Sequence, residues 1–346
     1  MHANELPAPL RKKHLLPTKM SVTDQHRTPQ LPSASEYAPY KSGQFRLAMG
    51  LLPLDLHDWI EPDERMGIEL AEKERLLHKH HSAVFAVLAE AFDGSTEVLE
   101  LLAAHLPERF PSLFTRTGNR LHHRGTQQTW DLSQSVLHPL DLAGRFVQED
   151  LCLMRFNTES GLYHLVGASL CFPTRWRLAD KLGNPLNLVH GPVPGYEEEL
   201  ASTMDRFFER LKVEKPVWRV NWGLIDDPTL FQPTGHGRKG LNPYITVTNA
   251  GDKLWLRMER QTLRRLPRTQ DILFTIRVHV RPLQELATRP ERAAELASTI
   301  RTMPEPMRLY KSLPPFLDAV LGWLDRVASS HSKNSSSAVE GRLLYE

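Results

Sequence analysis

Histidine is the residue type to follow first in this chain: 16 of 346 positions carry it. Imidazole can ligate a metal ion or haem iron and can move protons near neutral pH. His78, His80 and His81 form HKHH. On a helix, His78 and His81 are three apart and share a face, where two imidazoles could bind a metal. No acidic residue or cysteine stands at ligand spacing beside them, so a solvated helix face is the plainer reading. His122 and His123 are adjacent in a predicted strand and must point to opposite faces. His164, in LYHLVGASLCF, shares a strand face with Val166, Ala168, Leu170 and Phe172, as a core histidine or a cofactor-facing one. His190, in NLVHGPVPGY, sits in a segment stiffened by Pro and Gly, where a scaffold can hold a functional side chain. It could equally satisfy loop carbonyls.

Two strand patterns add charged candidates. PVWRVNWGL puts Trp218, Val220 and Trp222 on one face, a core-like set, and Arg219 and Asn221 on the other. Arg219 beside Asn221 suits a carboxylate, from a ligand or from within the protein. WLRMERQTLRRLP puts Arg257, Glu259 and Gln261 on one face, as a structural ladder or an active-site pair. Arg264, Arg265 and Arg268 read as a solvated basic run, with a docking surface as the other reading.

The whole composition narrows the classes. Lys and Arg total 43 against 41 Asp and Glu, a net charge of +2, which argues against a nucleic-acid-coating protein. Two cysteines make no disulfide framework, no four-cysteine zinc site and no CxxCH haem attachment. No apolar run approaches 18 residues, so no transmembrane helix is expected. GxGxxG, GxxxxGK[ST], GxSxG and HExxH motifs do not occur. A haem or flavin held without a covalent link needs no such motif. The cytoplasm is the expected compartment. A cleaved mitochondrial signal is the alternative, from Arg11, Lys12, Lys13 and Lys19, weakened by Glu5 and the prolines.

The elements that must position these residues follow from period. Residues 1–42 read as a disordered arm, 43–328 as a single folded domain and 329–346 as a disordered tail. Helices are predicted over 63–91 and 96–106, broken at Asp93-Gly94 and stopping before Pro107. Hairpins are predicted over 120–132 and 150–172. A short helix over 175–182 precedes a loop at 185–194, and a helix follows over 197–212. Strands are predicted at 217–224, 253–260 and 271–281, then helices at 290–302 and 315–328. Hairpin strands with helices grouped at the ends predict an α+β fold.

FRLAMGLLPLDLHDWIEPDE, HPLDLAGRFVQEDLCLM, CFPTRWRLADKLGNPLNLVHGPVPGY, RVNWGL and LRMERQTLRRLPRTQDILFTIR together resemble the haem-dependent oxidative N-demethylase family, over about 45–277. The resemblance implies a PAS-like antiparallel sheet with helical additions, holding haem b non-covalently. It implies oxidative removal of a methyl group from a small secondary amine such as dimethylamine, with O2, releasing formaldehyde. Electrons would come from a separate flavin and iron–sulfur reductase, ultimately from NADPH. The alternative is a non-catalytic haem- or ligand-binding sensor or scaffold of the same fold. A haem of this kind needs one axial ligand and partners for its propionates. His190 is the first candidate for the ligand, in the family-like VHGPVPGY string. His164 is second and His138 third. Arg175, Lys181 and Arg219 are candidates for the propionates. Glu259 and Arg260, in the ERQTL string, are candidates for binding the substrate amine or delivering protons.

Overall fold

The structure is a computed structural model that describes residues 37–133 and 136–340. Residues 1–36, most of the predicted arm, and 341–346 lie outside it. Ten strands occur in the described residues: β1 Leu52–Pro53, β2 Phe85–Val87, β3 Phe114–Thr117, β4 Arg120–His123, β5 Thr129–Asp131, β6 Asp150–Asn157, β7 Leu162–Ser169, β8 Val217–Ile225, β9 Trp255–Arg265 and β10 Ile272–Pro282. The α-helices are α1 Met66–Lys79, α2 His81–Val84, α3 Phe92–Arg109, α4 Pro139–Gly144, α5 Leu186–His190, α6 Ser202–Arg210, α7 Ala250–Lys253, α8 Pro290–Thr302, α9 Glu305–Tyr310 and α10 Leu317–Glu340. Seven strands form one antiparallel sheet in the order β1-β8-β9-β10-β6-β7-β2, and β3-β4-β5 form a small second sheet. The fold is α+β with an antiparallel core and helices grouped at both ends. None of the described helices is long and apolar enough to cross a membrane.

The period-two reading of the C-terminal half matches β8, β9 and β10, and α8 has the bounds its sequence predicted. Other boundaries differ for physical reasons. The helix expected over 63–91 ends at Lys79, where His80 leaves helical geometry (φ −133, ψ 35). Phe85, Ala86 and Val87 then pair with Ser169, Ala168 and Gly167 and close one edge of the sheet. Long-range pairing overrides the local helical pattern there. Asp93-Gly94 is not a break, because α3 runs through it and through Pro107. A Cβ on Gly94 would lie 2.2 Å from an Asp271 carboxylate oxygen and 2.8 Å from Leu153, so that glycine permits close packing of α3 on the sheet. The expected helix at 175–182 is only a 3-10 turn at Leu178–Asp180. The loop at 185–194 contains α5, and a π-helical turn, Glu197–Ala201, precedes α6. The last helix starts at Leu317 and continues past residue 328 to Glu340.

Pairing in β8, β9 and β10 assigns the two sheet faces, since cross-strand partners share a face. Trp222 pairs with Met258 and Leu224 with Leu256, and these join a core cluster with Leu296, Ile300, Val320 and Trp323 of α8 and α10. Arg260 and Arg277 pair on this same helix-covered face. On the opposite face Arg219 pairs with Gln261, Asn221 with Glu259 and Gly223 with Arg257.

Candidate functional site

The polar residues of the open face are held by the chain that crosses it. Asp150, fully buried, accepts hydrogen bonds from the backbone N–H of Cys171 (2.8 Å) and Phe172 (2.9 Å) and turns the chain out of β7. Burial pushes its carboxyl up to about 6. Arg257 then clamps the crossing segment: its Nη2 donates to the Phe172 carbonyl at 2.7 Å and its Nε to Thr174 Oγ1 at 2.8 Å. Arg175 follows in left-handed backbone (φ 61), an uncommon geometry for a non-glycine residue. Its side chain is buried, 3.4 Å from Asp226, which also pairs with Arg238.

Glu259 is the central anion. Thr174 Oγ1 donates to its Oε1, while Asn221 Nδ2 (3.2 Å) and Gln261 Nε2 (2.9 Å) donate to its Oε2. Its charge acts on Lys181, Arg219, Tyr310 and Lys311, which approach from four segments. Burial lowers the proton affinity of Lys181, Arg219 and Lys311, and Glu259 partly offsets it. For Lys311 the result is about 8. Burial pushes the Tyr310 phenol up to about 12. The Arg219 side chain makes no hydrogen bond among the described residues, so a half-buried guanidinium stands with open donors.

His190 closes α5 beside this cluster. Its Nδ1 lies 2.9 Å from the Leu186 carbonyl, which can only accept, so Nδ1 carries the proton and Nε2 carries the lone pair. The ring stacks on Tyr196 at 4.7 Å and 13°. Tyr196 is buried, and its hydroxyl has no hydrogen-bond partner among the described residues. Burial lowers the His190 imidazole to about 4, with Lys181 and Arg219 acting in the same direction against the Leu186 carbonyl. The ring is therefore neutral at pH 7. A neutral imidazole whose Nδ1–H is tied to a backbone carbonyl presents Nε2 as a ligand. Lys181 ties the same corner together, donating to the Val189 carbonyl at 2.6 Å and lying 4.7 Å from the Trp176 ring centroid.

Thus His190, Lys181, Arg219 and Glu259 gather together, while Arg175, next to Thr174, is drawn to Asp226. The other sequence candidates do not join them. Both ring nitrogens of His164 are engaged, by Ser160 and the Gly183 carbonyl, each at 2.8 Å. His138 caps α4 by accepting from the Leu140 N–H, between the rings of Phe85 and Phe92. Arg260 follows Glu259 on the strand and so faces the helices, where it pairs with Glu61 at 3.3 Å and donates to the Trp59 and Asp58 carbonyls. The HKHH histidines share no helix face, because the helix breaks at His80. His80 stacks on Phe231 and His81 pairs with Asp141 at 2.7 Å. His122 and His123 do point apart, to Thr129 and to Thr126. The basic run is not a solvated face: Arg265 is buried against the Leu211, Phe208 and Gln270 carbonyls, Arg264 lies over Trp59, and only Arg268 is an exposed pair, with Glu100. Thr174, Tyr310 and Lys311 escaped the sequence reading, because nothing local to them indicates that they meet Glu259.

The model of the haem-dependent oxidative N-demethylase, alpha subunit-like family matches residues 50–321. The chain belongs to this family. Haem dependence and oxidative demethylation are the family's description. The residues of the open face fit an N-demethylase haem: a neutral imidazole with Nε2 available, and cationic side chains, Arg219 foremost, with donors for carboxylates.

Proposed function

We propose that this chain binds haem b without a covalent link and oxidatively removes a methyl group from a small secondary amine of the dimethylamine class. The net reaction takes the amine, O2, two electrons and two protons to the primary amine, formaldehyde and water. The electrons come from a separate flavin and iron–sulfur reductase subunit, in keeping with a family described as alpha subunit-like. The observation that carries the reading is His190, neutral, with Nδ1 tied to the Leu186 carbonyl and its ring fixed against Tyr196. His190 would hold the iron. Arg219 and Lys181 would bind the two propionate carboxylates, whereas Arg175 already pairs with Asp226. When bound, the haem supplies oxygen activation. Glu259, held by three hydrogen bonds, binds the protonated amine and orients its methyl group.

The test is His190→Ala in protein expressed with a haem precursor. It should fold, lose most of its haem and shift the Soret band of whatever remains. Full haem content with an unchanged Soret spectrum removes His190 from the site. Formaldehyde release from dimethylamine, with O2 and a chemical or enzymatic electron donor, tests turnover.

A further inference from the structure

Lys311 reaches the open face from just beyond α9, and the reading above gives it no task. Its Nζ donates to the Trp222 carbonyl at 2.5 Å and to Asn221 Oδ1 at 3.4 Å, and lies 5.4 Å from the Trp222 ring centroid. Asn221 passes the contact on, since its Nδ2 donates to Glu259. One neutral amide therefore separates the ammonium from the site's central carboxylate, and no ion pair holds it among the described residues. The charged and titratable groups around it are Glu259 on β9, Arg219 on β8 and its neighbour Tyr310.

We propose that Lys311 is the exchangeable cation of the site: an ammonium ligand docking at Glu259 displaces the Lys311 proton to solvent, so amine binding is coupled to release of one proton. The inference rests on the reading of Glu259 as the amine-binding carboxylate. One N–H bond of the ammonium breaks, the electron pair stays on Nζ, the proton goes to buffer, and the net charge of the site is unchanged by binding.

The argument is one of charge. Glu259 already faces Lys181, Arg219 and Lys311. A further unit charge about 5 Å from an ammonium, at an effective dielectric of about 20, lowers its proton affinity by about two pH units. Arg219 cannot relieve the excess, because a guanidinium does not deprotonate in proteins. Lys181 keeps the neighbouring charge of Asp180 and the Trp176 face. Lys311 also lies against an aromatic face, that of Trp222, but among the described residues has no carboxylate besides Glu259 acting on it, and burial already loosens its proton.

The experiment is calorimetric titration of dimethylammonium chloride into the haem-loaded protein at pH 7, in buffers of different protonation enthalpy. The wild type should release close to one proton per amine bound, and Lys311→Met should release none. Lys311→Arg keeps the cation but cannot yield a proton. It should bind the amine about tenfold more weakly or worse, without proton release, and it serves if the methionine variant does not fold. Binding to the wild type without proton release, or undiminished release from either variant, overturns the inference and leaves Glu259 in place. Glu259→Gln binding the amine as tightly as the wild type overturns the reading of Glu259 instead. No binding to the wild type overturns both.

Discussion

Arg277 and Arg219, on opposite faces of β8, β9 and β10, handle charge in opposite ways. On the helix-covered face Arg277 is fully buried and uses four of its five N–H donors: it pairs with Asp63 at 2.6 Å and Glu69 at 2.8 Å and donates to the Glu61 and Val278 carbonyls. Gln148 bridges Asp63 and Glu69, and Tyr37 donates to Glu61. Burial would raise the Asp63 carboxyl, but Arg277, Gln148 and the Arg65 N–H hold it below its ordinary value. On the open face, among the described residues, the Arg219 guanidinium has no hydrogen bond, Lys311 has no ion pair, and several cations share Glu259. Partners that are all internal make a closed structural network, whereas charges left incompletely matched inside a fold mark a place for a ligand.

The largest expected effect breaks the closed face. Arg277→Met takes from half-buried Asp63 and buried Glu69 the guanidinium they share, leaving Glu69 only the more exposed Arg65, and should cost about 3–5 kcal/mol, read as a lower midpoint in urea unfolding. A cost under about 1 kcal/mol would show that the network is not closed. Asp63 adds a pH signature. Its folded pKa lies below its unfolded one, so its contribution is present above about pH 4 and is lost as pH falls through the folded value. Arg277→Met should flatten that acid limb of the stability curve.

Packing density makes a finer contrast. A Cβ on Gly94 meets Asp271 at 2.2 Å, whereas a Cβ on Gly223, on the open face, meets nothing within 4 Å. Gly94→Ala should therefore destabilise by about 1–3 kcal/mol through overpacking. Gly223→Ala should be neutral or add about 0.5 kcal/mol by restricting the unfolded chain. Paired thermal unfolding of the two variants measures the difference, and equal losses would mean both faces are equally packed.

Strict alternation made much of this legible. The runs around Asn221 and Glu259 repeat every two residues, so their shared face could be read directly, as could the separation of Trp222 from Arg219. Gly94 misled because a glycine beside an aspartate resembles a turn, while its reason lies in Asp271 far along the chain. Phe85–Val87 misled because an apolar stripe of helical spacing also suits an edge strand once β7 is there to pair with it. Arg265 looked solvated because the carbonyls that bury it, at Phe208 and Leu211, belong to another segment. Lys311 meets Asn221 across 90 residues, and no local pattern encodes such a contact. Local rules thus recover which residues share a face. They do not recover which distant backbone groups satisfy a charge, and that distinction separates structure from site here.

Arg219 gives the smallest effect on stability and the sharpest test of the comparison. Its guanidinium is half-buried, burial lowers its proton affinity, and only the charge of Glu259 compensates it. Removing it therefore takes away a desolvation penalty as well as an attraction, and Arg219→Met should change unfolding free energy by less than about 1 kcal/mol. The same substitution removes a donor set suited to a carboxylate. Haem retention should therefore fall by about tenfold, measured by transfer of haem to excess apomyoglobin. Arg277→Met should show the reverse balance, a large loss of stability with haem retained wherever the protein stays folded. If Arg219→Met instead unfolds the chain while keeping its haem, the open face is structural like the closed one, and the incomplete matching of its charges does not mark a ligand.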